Sequence, residues 1–152
     1  MAQTEITTAD VADLVELMSN AAKAFIGGDM TTYFSLIHHS DDHTLMGPFG
    51  GQTRRGPDNS SETVEALSRY FRGGEAELEV VETYSSGNLV VLVVIERQHG
   101  QVGGLPDQAW SLRVTLVFRR DETGGWQQVH RHADALVHGI TLEQLSALAR
   151  GA

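Results

Sequence analysis

A chain of 152 residues with 41% hydrophobic and 20% charged side chains fits one globular domain that buries roughly 70% of its unfolded surface, and it is too apolar for a disordered segment. A formal net charge of −9 excludes a phosphate-tracking surface, and the pairs Arg54-Arg55 and Arg119-Arg120 are too short to reverse it. The absence of cysteine removes disulfides, thiolate metal sites and cysteine nucleophiles, and agrees with a reducing compartment.

Met1 to Thr8 is polar and lacks the basic start and apolar core of a signal peptide. The longest apolar run, Leu89 to Ile95, is far short of the ~20 residues that a membrane-spanning helix needs. A cytoplasmic protein with no nucleic-acid or membrane partner is therefore expected.

From Thr8, the residues Val11, Leu14, Val15, Met18, Ala22, Phe25 and Ile26 recur at spacings of three and four. This predicts an amphipathic helix capped by Thr7 or Thr8 and stopped at Gly27-Gly28. Asp29 caps a shorter helix carrying Met30, Tyr33, Phe34 and Ile37 on one side. Asp41-Asp42 turns the chain into a short apolar stretch, Thr44 to Met46, followed by the glycine- and proline-containing connection Gly47 to Gly56. Such a connection is either a pocket mouth or an ordinary surface loop. Asn59 with Glu62 resembles a capping box for a third helix reaching Phe71, with Val64, Leu67, Tyr70 and Phe71 as its stripe and Gly73-Gly74 as its end.

The period then changes to two. Glu75 to Tyr84 sets Ala76, Leu78 and Val80 against Glu75, Glu77 and Glu79, a half-buried strand whose acidic row guards a solvated edge. Ser85 to Asn88 turns into the Val-rich run Leu89 to Arg97, suited to a central strand covered on both faces. After a loop, His99 to Asp107, the stretch Ala109 to Arg120 places Trp110, Leu112, Val114, Leu116 and Phe118 on one face. Asp121 to Gly125 makes a hairpin into Trp126 to Asp134, and Thr141 with Gln144 caps a terminal helix bearing Leu142, Leu145 and Leu148. Helices followed by consecutive antiparallel strands imply an α+β domain, one unit over residues 1–152, with helices packed on a curved sheet that closes towards a cone.

Three segments, in order, carry a resemblance: Phe25 to Ile37, Asp41 to Pro48, and Gly124 to His132. With them the chain resembles the SnoaL-like branch of the nuclear transport factor 2-like superfamily, the fold also called cystatin-like. The resemblance implies a cone-shaped antiparallel sheet wrapped around N-terminal helices, a pocket inside it, and a homodimer formed through the sheet. This fold hosts isomerases, cyclases, dehydratases and non-enzymatic assembly domains, so it does not fix function. In the related ketosteroid isomerases the general base precedes the proline after the first strand, where this chain has Gly47. Their tyrosine and protonated aspartate donors fall near Ala21 and near Thr115 or Leu116. Steroid isomerisation by that machinery is therefore not expected.

The candidate site lies on the last strand. Strand side chains alternate, so His130, His132 and Asp134 share one face. If Arg120 pairs with Trp126 and the ladder is regular, Leu116 faces His130, Val114 faces His132, and Leu112 faces Asp134. The three polar groups then join the apolar wall of Trp110, Leu112, Val114, Leu116 and Phe118, with Tyr33, Met46 and Phe49 completing the pocket lining. A β-bulge would shift the register by one and turn Arg131 inward instead. In the regular register, Arg113 and Arg131 lie on the opposite face with Thr115 and Val129, a surface suited to a dimer interface or to solvent.

Histidines titrate near neutral pH, so His130 and His132, with Asp134, suit either proton transfer to a substrate or structural hydrogen bonding. The resemblance favours the former, because dehydratases of the superfamily combine a pocket histidine with an aspartate. His38, His39 and His43 read as solvated turn residues, with His43 as an auxiliary acid or base in the alternative. Metal binding needs three or four converging ligands, which a helix end running into a strand does not impose, so neither metal nor cofactor is expected. The reading is a small-molecule-binding SnoaL-like protein with an apolar pocket, acting as an acid-base lyase, isomerase or cyclase on a small hydrophobic substrate. The alternative is a non-catalytic dimerisation or ligand-sensing module.

Overall fold

The computed structural model describes residues 5–151, so the first half of the stretch read as free of a signal peptide, residues 1–4, lies outside the described residues. Helix α1 (Thr8–Ile26) begins at a reciprocal cap. The Thr7 hydroxyl accepts the Asp10 N–H at 3.1 Å, and the Asp10 carboxylate accepts the Thr7 N–H at 2.8 Å. Such caps are worth about 1 kcal/mol. The stop lies at Gly27-Gly28, where Gly28 has φ 80° and any Cβ would run into the Phe71 carbonyl. Asp29 caps α2 (Met30–Leu36) by accepting the Thr32 N–H at 3.2 Å. Helix α3 (Ser61–Tyr70) is capped by Ser60 rather than Asn59, and Phe71 already starts the next strand, so Gly73-Gly74 lies inside that strand rather than ending the helix.

The strands are β1 (His39–Met46), β2 (Arg54–Arg55), β3 (Phe71–Ser86), β4 (Leu89–Val102), β5 (Gln108–Ala109), β6 (Leu112–Arg120) and β7 (Trp126–Asp134). They form one curved, unclosed sheet in the order β2-β1-β7-β6-β4-β3, with β5 on β4. Pairing is antiparallel except between β1 and β7, which run parallel. The first strand starts at His39, earlier than the Thr44 that hydrophobicity suggests, because its first half is built from Ser40 and His43, both buried despite being polar. Cystatin-like architecture, with N-terminal helices on a curved sheet, is thus the fold.

Helix α1 lays Leu14, Met18, Ala21, Ala22 and Ile26 on the concave face. The facing rows are Val90, Leu92 and Val94 of β4 and Leu112, Val114, Leu116 and Phe118 of β6, each 5% exposed or less. Burying a side chain of this kind contributes about 1.5–3 kcal/mol. Ile26 of α1 meets the sheet at Gly74 and Gly100, which pair across β3 and β4. A Cβ on either would strike the opposite strand's backbone and the Ile26 side chain. On the convex face, Leu89, Val91, Val93 and Ile95 of β4 carry an apolar row that no helix among the described residues covers in the way α1 covers the other face. Helix α4 (Leu142–Ala149), capped by Thr141 and Gln144, buries no residue.

Candidate functional site

The hairpin register begins as the sequence suggests, with Arg120 opposite Trp126, and then breaks. Phe118 pairs with Gln128 but Val117 pairs with His130, so Val129 is an extra residue in β7. Beyond this bulge the strand is offset by one. Arg131 stands opposite Leu116 on the concave face, and His130, His132 and Asp134 stand opposite Val117, Thr115 and Arg113 on the convex one.

A guanidinium among buried aliphatics requires a counterion, and β4 supplies it. Val90, Leu92, Val94 and Glu96 alternate along one face, so Glu96 enters the interior as its fourth member and is 3% exposed. Its carboxylate accepts two hydrogen bonds from Arg131, from Nη1 at 2.9 Å and from Nη2 at 2.8 Å. Burial by itself would lower the Arg131 pKa, but the charge and hydrogen bonds of Glu96 override it and hold the guanidinium above its ordinary value. Desolvating such a pair costs several kcal/mol, which the bidentate geometry must offset. Beside it, burial pushes the Tyr33 phenol up, with the Arg131 charge opposing and Glu96 assisting. Tyr33 is a neutral hydroxyl at physiological pH, available as a donor.

These groups line a cavity of about 50 Å³ between α1, α2 and the sheet, walled by Met18, Ala22, Phe25, Trp110 and Leu112 and opened by Gln98. That is room for a few waters or a small functional group, and it falls well short of the ~300 Å³ typical of a drug-sized site. Behind Tyr33, at a ring separation of 6.2 Å, lies His39, whose ring meets His43 edge-on at 4.5 Å. Burial lowers His39 to about 4, helped by the positive charge of Arg131 and by His38. Burial likewise lowers His43 to about 4, with His39, His130 and Arg131 adding to it and Asp42 opposing. Both imidazoles are therefore neutral at physiological pH. The Gln128 amide nitrogen lies 2.9 Å from His43 Nε2. An amide N–H donating there fixes the ring proton on Nδ1.

The match to a SnoaL-like domain runs over residues 14–137, most of the chain and all of this site. The chain belongs to that family. No curated protein matches it. Among solved structures it is similar to a proposed dehydratase of the nuclear transport factor 2-like family from Streptomyces avermitilis (18% identity, 86% of this chain, 99% of that chain, TM-score 0.65). It is also similar to a ketosteroid isomerase-like protein from Erwinia carotovora atroseptica (18% identity, 84% and 97%, TM-score 0.62). A third is the association domain of Caenorhabditis elegans CaMKII (15% identity, 84% and 96%, TM-score 0.61). At these identities they establish the fold alone.

Within this SnoaL-like domain, the interior position expected for His130, His132 and Asp134 is corrected by the bulge at Val129, which sets them on the outer face of the sheet. His130 Nδ1 lies 2.7 Å from the Thr44 hydroxyl, and its ring is 6.4 Å from that of His132. Asp134 accepts two hydrogen bonds from Arg113, both at 2.8 Å, and a third from the Leu136 N–H. Those bonds, Arg113 foremost, hold its carboxyl below the usual range. Conversely, the outward place given to Arg131 is corrected to the interior, while Arg113 is outside.

Of the expected lining, Tyr33, Trp110 and Leu112 border the cavity, and Val114, Leu116 and Phe118 fill the solid core on the same face. Met46 is aligned with His132 on the outer face and is 43% exposed, and Phe49 sits on the loop at 92% exposed. His39 and His43, read as turn residues, are interior because β1 begins earlier than its apolar residues. Among the described residues, no three His, Asp or Glu side chains are grouped so as to hold a metal ion, and no helix is long and apolar enough to cross a membrane.

Proposed function

We propose that this SnoaL-like domain takes the oxygen-bearing end of a small, neutral, apolar molecule into the cavity under α1, and that it performs acid-base lyase, isomerase or cyclase chemistry there. The observation that carries the reading is a buried ion pair and a neutral phenol facing a cavity whose remaining walls are apolar except for Gln98. Because Glu96 balances Arg131, the site presents no net charge, which favours a neutral ligand over an anion. Tyr33 donates to a ligand carbonyl or hydroxyl, and the fixed positive end of the Arg131–Glu96 dipole favours negative charge developing on that oxygen. His39, neutral and behind Tyr33, is the proton acceptor of this scheme. The reading moves the acid-base role from His130, His132 and Asp134 to the inner face.

Trp110 borders the cavity, so its fluorescence reports occupancy. Titration with small enones, phenols and hydroxy-ketones should quench it saturably, and Ala22→Phe, which fills the cavity from α1, should weaken binding at least about tenfold. Absence of any saturable signal, or binding indifferent to Ala22→Phe, overturns the proposal. A second reading, a homodimerising or ligand-sensing module without catalysis, is favoured by one observation: the convex sheet face carries an apolar row, Leu89, Val91, Val93 and Ile95, among its polar residues, which no helix among the described residues covers as α1 covers the other face. In that reading, too, the sheet is the dimer surface.

A further inference from the structure

The cavity under α1 is too small to hold a ligand by itself. Its 50 Å³ admit only the end of a molecule, and a few atoms of even the most efficient ligand do not bring a dissociation constant much below ~0.1 mM. The gap between helix and sheet does not stop there. A cleft of about 690 Å³ continues it towards β3, the strand at the edge of the sheet, and Gln98 lines both spaces. The ladder explains the continuity. Residues paired across antiparallel strands share a face, so Leu78 and Ala76 of β3 extend the rows of their β4 partners, Glu96 and Gln98. Glu96 and Gln98 border the cavity, whereas Leu78 and Ala76 floor the cleft. The helix divides in the same way: Met18 and Ala22 face the cavity, and the residue after each, Ser19 and Lys23, faces the cleft. Gln98 stands half-buried at the junction. Its backbone N–H donates to Ser111, but its side-chain amide makes no hydrogen bond among the described residues, which leaves a donor and an acceptor for whatever passes it.

Resting on the cavity reading above, we infer that cavity and cleft form one binding track and that its ligand is elongate, with an apolar, oxygen-bearing end under α1 and a neutral tail of hydroxyl, ether or amide groups that passes Gln98 and lies between Ser19 and β3. The sheet sets the length. From Arg131 on β7 to Ala76 on β3 the track crosses three strand spacings of ~4.8 Å, roughly 14 Å. The charges of the cleft set the chemistry of the tail. Lys23 and Arg97 stand against Glu75 and Glu77, so neither a cation nor an anion is favoured. Arg97 is already bonded to Glu79, and His99 lies between Asp107 and Glu75. A wholly apolar tail would cover these polar groups without replacing their water, which costs free energy. A tail with its own donors and acceptors replaces it.

Three methyl ketones test this in the full-length protein, each titrated by Trp110 fluorescence: 2-butanone, 2-decanone, and a ketone carrying a di(ethylene glycol) chain of the same length as 2-decanone. The glycol ketone should bind at least about tenfold more tightly than 2-butanone, the worth of one or two hydrogen bonds, and more tightly than 2-decanone. Ser19→Tyr, which fills the cleft from α1, should bring the glycol ketone and 2-butanone to within about twofold of each other. In the wild type, the Ser19 and Glu77 amide signals in nuclear magnetic resonance should move with the glycol ketone and not with 2-butanone, a readout that needs no variant to fold. A glycol ketone with no advantage over 2-butanone overturns the inference, as does an advantage that survives Ser19→Tyr. So does tighter binding of 2-decanone, or a glycol ketone that leaves the Ser19 and Glu77 amides where 2-butanone leaves them. All four results leave the cavity reading standing. If no ketone binds saturably, or if Ala22→Phe does not weaken 2-butanone, the cavity reading itself fails and the track falls with it.

Discussion

The two faces of β7 after Val129 differ by one residue in register and by everything in environment. Outside, His130, His132 and Asp134 are partly or largely exposed, and of their partners Thr44 is half-buried and Arg113 exposed. Inside, Arg131 meets Glu96 in a site from which water is mostly excluded. The three outer groups have the richer list of proton-handling atoms, yet the single inner residue has the stronger coupling, because Coulomb interactions grow as the surrounding dielectric falls. Residue identity therefore ranks these positions in the wrong order, and burial corrects it.

The comparison breaks most forcefully at its inner member. Arg131→Ala strands the Glu96 carboxylate in the interior and should cost about 3–5 kcal/mol, read as a lowered urea midpoint. The double change Arg131→Met with Glu96→Leu should recover most of that loss, since an apolar pair fills the space without desolvating charge. If Arg131→Ala costs no more than a surface substitution, the interior placement of the pair is wrong.

Next comes pH. The folded pKa of His43, about 4, lies below its unfolded value of roughly 6.5, so the unfolded chain takes up the proton first. This contribution is fully present above about pH 6.5 and is lost as pH falls towards 4, on the order of 3 kcal/mol in total. Urea unfolding at steps across this window should show the decline, to which His39, also lowered to about 4, adds; His43→Gln should make it shallower, and His39→Gln in addition should flatten it. Asp42, lowered to about 2 by the Arg119 hydrogen bond first, titrates at lower pH and leaves the window clear.

A smaller effect tests the bulge itself. Deleting Val129 leaves Gln128 opposite Phe118 and His130 opposite Val117, so the ladder becomes regular with Arg131 still inside. The deletion should change stability by only about 1 kcal/mol in either direction and preserve Trp110 fluorescence. Smallest of all, His132→Ala should shift stability by less than about 0.5 kcal/mol and leave cavity binding unchanged.

Much of the fold is readable from local chemistry. Thr7 with Asp10, Asp29 and Thr141 with Gln144 satisfy helix ends within three residues of themselves, and the alternation of β6 follows from a single strand. What escapes reading is set between strands. The extra residue at Val129 has no signature in its own neighbourhood. Its logic is global: a regular ladder would bury two histidines and an aspartate on the Leu112, Val114 and Leu116 wall, leaving Glu96 without its cation. One signal was present, because Glu96 falls in step with Val90, Leu92 and Val94, and a carboxylate on a core row asks for a buried partner. The parallel pairing of β1 with β7 gave no such sign, since Ser40, Asp41 and Asp42 hide the strand from any hydrophobic pattern.

The Gly74–Gly100 contact reaches further than its own turn of the chain. Ile26 rests on the two glycines, while Ala22 and Phe25 from the same helix and Gln98 from the same strand border the cavity. The glycine pair therefore acts as a fulcrum at one end of the gap between helix and sheet. A methyl group at position 100 would strike the Gly73 carbonyl of β3 at 2.5 Å and press on the Ile26 side chain at 3.2 Å, so it would disturb the β3–β4 ladder and the seat of α1 together. The end of the helix that borders the chamber is thus seated on two residues without side chains, so a change outside the chamber wall would be felt at the wall.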